Sequence, residues 1–170
     1  MNAKLITLLI ALAFGASAHA AKGHNHGVGE LDVSIENEQL IIELELPLDS
    51  VAGFEHAPKN DKEKAALADA ERLLKDAPSL FLTAPDAGCT VASISVTMPY
   101  ASGQQAHAEG HADIDARYVF RCTKPAALKS VETTLFKHFT RLYRLEARRT
   151  GLAAGQGATR LSARQPRLSW

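Results

Sequence analysis

The sequence predicts an α+β fold with a mostly antiparallel sheet, two helices and one disulfide. Three observations lead there. Apolar and polar residues alternate through Leu31–Ile35, Leu40–Leu46 and Ile114–Cys122, the pattern of half-buried strands. Two intervening stretches carry apolar residues at helical spacing instead. Two cysteines, Cys89 and Cys122, each fall in a strand-like stretch. Strands before and after helices, at hairpin spacing, make an α+β architecture the simplest solution.

The elements follow in order. Leu31-Asp32-Val33-Ser34-Ile35 alternates, Asn37-Glu38 marks a turn, and Gln39 to Leu46 alternates again until Pro47 ends the run. A β-hairpin is the natural reading. Residues 48–59, "LDSVAGFEHAPK", are expected to be irregular. A helix is expected from Asn60 or Asp61, with Glu63 at capping-box spacing from Asn60. Ala66, Ala70, Leu73 and Leu74 form its stripe, and Pro78 closes it. Val91–Met98 predicts a strand, and the Gly/Ala-rich stretch from Tyr100 to Gly110 a loop. In the strand from Ile114, residues Ile114, Ala116, Tyr118, Phe120 and Cys122 face the core, while Asp113, Asp115, Arg117, Val119 and Arg121 face away. Pro125 suits the first turn of a second helix with the stripe Leu128, Val131, Leu135 and Phe139. Two closing strands are expected over Leu142–Arg149 and Ala158–Trp170.

Residues 1–20 are expected to be a leader rather than part of this fold. Asn2 and Lys4 precede the ten-residue apolar run Leu5–Phe14, and Ala18-His19-Ala20 supplies a small-x-small cleavage site. The apolar run is half the ~20 residues a membrane-spanning helix needs. No cysteine near the cut offers a lipid anchor. The expected product is a single domain over residues 21–170, exported to the periplasm without a membrane anchor. An even cysteine count in an exported protein points to a disulfide, and two cysteines allow one connectivity. Loss of Lys4 leaves 18 basic against 19 acidic side chains, a near-neutral balance that excludes a dedicated nucleic-acid binder. Seven arginines against the single acid Glu146 lie from Arg141 onward. A basic solvent face on the closing strands accounts for them.

Histidine carries the chemical interest. His24 and His26 stand one residue apart, so in extended backbone both rings point to one side. His107 and His111 flank Glu109, and Asp113 and Asp115 follow. Such imidazole and carboxylate donors suit Zn²⁺, which takes three or four of them near 2 Å. Spacing alone leaves a solvated, His-bearing loop equally open. "HAEGH" is not the helical zincin motif, because its glutamate stands elsewhere and Gly110 weakens a helix. No phosphate-binding loop or nucleophile elbow is present, and disulfide-bonded cysteines are not nucleophiles, so no enzyme is expected.

Three stretches carry a family resemblance: "HNHGVGELDVSIENEQLIIELELPLDSVAGFEHAP", "AGCTV" with "HADIDARYVFRC", and "GATRLSARQPRLSW". Together they resemble the ZrgA-like periplasmic zinc-binding proteins, formerly a domain of unknown function. The resemblance implies Zn²⁺ as cargo, a zinc importer or another periplasmic transport component as partner, and donors at His24, His26, Glu55, His56, His111 and Asp113. Many members carry a long His/Asp/Glu-rich insert between the cysteine-bearing strands. Here that region is only "YASGQQAHAEGHAD", which fits one or two discrete sites better than many-ion buffering. The expectation is a periplasmic zinc-binding protein that buffers or delivers the ion. His24 and His26 are the first ligands, Glu55 and His56 follow as a loop folding over them, and His107, His111 and Asp113 form a second site. The rival expectation is a metal-independent structural or interaction module of the envelope.

Overall fold

A computed structural model describes residues 25–100, 112–151 and 155–170. The expected leader, His24, His107 and His111 lie outside the described residues. The hairpin forms as the alternation predicts. Strand β1 (Val28–Glu36) and strand β2 (Gln39–Pro47) pair antiparallel across Asn37-Glu38, with Asn37 in the left-handed conformation (φ 56°) that asparagine tolerates in tight turns. Strand β5 (Asp113–Cys122) pairs with β2, and β4 (Cys89–Thr97) pairs with β5, both antiparallel. On the other side β7 (Arg144–Thr150) runs parallel to β1 and carries β8 (Gly157–Leu161) antiparallel. The resulting six-stranded sheet has the order β4-β5-β2-β1-β7-β8.

The register explains why one face is a core. Leu31, Val33, Leu40, Ile42, Leu44, Leu46, Ile114, Ala116, Tyr118 and Phe120 all project to the same side and are buried. The other side carries Glu30, Asp32, Glu43, Arg117 and Arg148, where Arg148 bonds Asp32 (2.6 Å) and Glu30 (2.9 Å) and Arg117 bonds Glu43 (3.2 Å). Exposed pairs of this kind contribute about 0–1 kcal/mol each, so apolar burial holds the sheet together. A disulfide joins Cys89 to Cys122, directly opposed in the β4–β5 register.

The helix expected from Asn60 is present as α2 (Asp61–Leu74). Asn60 Oδ1 accepts from Glu63 N–H at 3.0 Å, and the Glu63 carboxylate accepts in return from Lys59 N–H at 2.7 Å. Before it lies a five-residue helix, α1 (Leu48–Ala52), where irregular chain was expected. After it, Pro78 opens a short helix, α3 (Ala77–Leu80), rather than simply ending α2.

The second expected helix is corrected. Residues 125–139 form a 3-10 turn (Pro125–Ala127), strand β6 (Ser130–Thr133) and a single helical turn, α4 (Leu135–His138). Leu128, Val131, Leu135 and Phe139 are all buried, so the apolar set was right and its period was wrong. Val131, Thr133 and Thr134 explain the outcome, since β-branched residues favour extended backbone. β6 lies between β3 (Phe81–Thr83) and β9 (Arg167–Ser169) in a second, three-stranded sheet. The last expected strand divides into β8 and β9, because the chain turns over Ser162–Gln165 ahead of Pro166, which has no N–H to continue a ladder.

Candidate metal centre

The end of the sheet where β1 begins and β2 ends gathers three potential donors. His26 Nδ1 lies 2.8 Å from Asp49 Oδ2 and 3.4 Å from Glu55 Oε1. One ligand atom from each residue lies within 4.8 Å of the others. Among the described residues this is the one such group of histidine, cysteine and carboxylate side chains.

Local sequence builds it. Gly27 follows His26 with φ +75°, and a Cβ there would strike the Tyr143 ring and stand 2.8 Å from the Arg141 carbonyl. Only glycine fits this turn. The Gly27 carbonyl accepts from Tyr143 N–H (3.0 Å) and Arg144 N–H (3.2 Å), which locks the turn onto the approach to β7. Asp49 sits in the first turn of α1. Ser50, 1% exposed, accepts from Gly27 N–H at 3.0 Å and donates to Asp49 Oδ1 at 3.2 Å. That link fixes one carboxylate oxygen and turns the other toward His26, the orienting role that outer-sphere groups play around metals. Gly53, at φ +87°, closes α1 and reverses the chain, so Glu55 returns toward Asp49. The Glu55 carbonyl accepts from the Tyr100 hydroxyl at 3.0 Å. Tyr100 adopts φ +63°, a conformation uncommon for a bulky residue, at the point where β4 has ended. Leu48 N–H donates to the Ala112 carbonyl at 2.8 Å, so the residues flanking 101–111 on both sides are tied to this cluster.

The geometry suits a small dication. Two ligands of a tetrahedral zinc at its usual bond lengths stand about 3.4 Å apart. The His26–Glu55 separation already has that value, whereas the 2.8 Å His26–Asp49 contact is a hydrogen bond that must widen when metal replaces the shared proton. Two carboxylates neutralise a 2+ charge. Asp49 and Glu55 are half-buried while the His26 side chain is 73% exposed, so the group is open to solvent on the imidazole side.

The other expected donors are placed differently. His56 turns away from the cluster: its ring stacks on Phe54 (5.2 Å), its Nδ1 contacts the Ala57 carbonyl (2.9 Å), and Glu63 Oε2 lies 3.9 Å off. The Lys59 N–H bond holds the Glu63 carboxyl below the usual range, with Asn60 and the His56 ring adding to the effect. Asp113 is half-buried at the start of β5, opposite Pro47 in the register. Asp49 is a potential donor that the sequence reading missed. The hairpin register was the signal for it, because His26 lies ten residues before Glu36 and Asp49 ten residues after its partner Gln39. Extending the ladder beyond the strands sets residue 26 opposite residue 49.

A groove of about 360 Å³ on the solvent face of the sheet is lined by Glu30, Asp32, Glu43, Arg117 and Arg148 among others. Its arginines are already bonded to its acids. No helix among the described residues is long and apolar enough to cross a membrane. Comparison with curated proteins finds no match. Residues 23–170 match the family described as ZrgA family zinc uptake protein, a span that includes both cysteines and the whole His26–Asp49–Glu55 cluster. The chain belongs to the ZrgA family of zinc uptake proteins.

Proposed function

We propose that the protein works in the periplasm as a zinc-binding component of uptake, holding Zn²⁺ at His26, Asp49 and Glu55 and passing it to an importer. Convergence of one imidazole and two carboxylates on a shared point carries this reading. The leader pattern of residues 1–20 and the disulfide support export. A partly exposed site of three donors suits an ion that must be both taken up and given back, since closed four-ligand sites serve structure.

The remaining coordination position stays exchangeable, taken by water or by an imidazole tethered nearby in the chain. His24 is two residues from His26, and His111 is bonded to Ala112, whose carbonyl is anchored by Leu48. An imidazole from either residue, trading places with water, would keep that position open to hand-over. The protein needs no reaction chemistry of its own in this account. His56 beside Glu63 forms at most a weaker, two-donor position.

The alternative, an envelope module using the arginine-rich closing strands, finds less support. Arg144, Arg148, Arg160 and Arg167 are each engaged by acids of the same chain. Calorimetric titration of metal-stripped, untagged protein tests the proposal. A one-to-one isotherm in the micromolar range or tighter, weakening on acidification as protons compete for imidazole, is expected. Absence of heat above background at micromolar zinc overturns it.

A further inference from the structure

Strand β4 is the outermost strand of the large sheet, and no described strand pairs with its other edge. The remaining sheet edges are guarded. β8 has five residues and carries Arg160, while β3 and β9 have three residues each. β4 has nine residues, "CTVASISVT", with no charge and no proline. Thr90, Val91, Ala92, Ser93, Ser95 and Thr97 are exposed along it. Among the described residues, the only blunting device is a bulge between Val91 and Ser93, which leaves Ser93–Thr97 regular. Proteins normally protect a long edge with lysine, proline or a cover, because its unsatisfied N–H and C=O groups recruit another strand. The Cys89–Cys122 bridge further fixes this edge to β5.

We infer that β4 is a self-association edge, where Ser93–Thr97 pairs antiparallel with the same segment of a second copy across a two-fold axis at Ser95. The segment Ser-Ile-Ser-Val-Thr has the same pattern of residue classes in both directions. About a dyad at Ser95, Ile94 lies opposite the partner copy's equivalent of Val96, on the face that packs against the core. Ser93 lies opposite the equivalent of Thr97 on the solvent face. β-branched and hydroxyl pairs of this kind stabilise cross-strand contacts, and no like charges meet in this register. A second copy therefore fits better than a cationic or anionic partner, since the strand offers no charge to complement. Two-fold pairing is also closed, so it ends at a dimer. The contact is short, and a weak, reversible dimer follows.

Sedimentation of the purified, disulfide-intact protein from micromolar to millimolar concentration tests this. A monomer–dimer equilibrium is expected, and the double variant Ser93→Lys, Thr97→Lys should weaken it at least about tenfold by facing ammonium groups across both ends of the pairing. Ser95→Cys reads the register separately. Directly opposed residues stand within disulfide reach, so this variant should give a covalent dimer on oxidation, while Thr159→Cys on β8 should not. A monomer at every concentration, or a dimer unaffected by the lysine pair and not cross-linked at position 95, overturns the inference.

Discussion

Replacing His26 with alanine is expected to weaken zinc binding by at least about a hundredfold, since loss of merely an outer-sphere partner typically costs 10–100-fold and the proposed site uses His26 as a direct donor. The same change should leave the fold intact. His26 is the most exposed member of the cluster, and its contacts are with Asp49 and Glu55 rather than with the core. Melting temperature without metal should therefore stay near that of the parent, while the stabilisation conferred by added zinc disappears. An unchanged isotherm for His26→Ala would move the site to other residues. Asp49→Asn is a useful companion because it keeps the volume and the Ser50 link while replacing the oxygen that faces His26 with an amide NH2, which cannot ligate a metal.

Removing the disulfide is expected to lower stability by roughly 3–4 kcal/mol, the chain-entropy value for a bridge closing a loop of this length. The cysteines are 33 residues apart, and Cys122 is buried in the core. That loss is a large share of the 5–15 kcal/mol that holds a typical domain together. Cys89→Ala with Cys122→Ala, compared by urea unfolding, measures it. The bridge also steadies β4, which continues through Pro99 to Tyr100 and its hydrogen bond to the Glu55 carbonyl. Zinc affinity should therefore fall in the double variant, though by less than in His26→Ala. A stability change below about 1 kcal/mol would show that β4–β5 pairing alone holds this edge.

Much of this molecule was legible from local pattern. The β1–β2 hairpin, the two faces of β5, the Asn60–Glu63 cap and the cysteine pairing each depend on residues close in sequence or on a single possible partner. Residues 125–139 defeated the pattern because Leu128, Val131, Leu135 and Phe139 satisfy a helical period while β-branched neighbours favour a strand, and pairing with β3 and β9 decides between them. Those partners are remote in sequence. The site divides in the same way. His26 announced itself by residue type, and Glu55 through the family resemblance. Asp49 carried no motif, since an acid after Pro47-Leu48 is an ordinary surface residue until the ladder sets it across from His26. His56 was conspicuous by type, yet the backbone after Gly53 directs it toward Glu63 instead.

The proposed role rests on one zinc ion binding between His26, Asp49 and Glu55. Zinc-edge anomalous diffraction from crystals of the zinc-loaded protein tests it most directly. A single strong peak is expected about 2.0–2.2 Å from His26 Nδ1 and from a carboxylate oxygen of each of Asp49 and Glu55. A peak located elsewhere, with these three side chains still bonded to one another as in the metal-free chain, would contradict it.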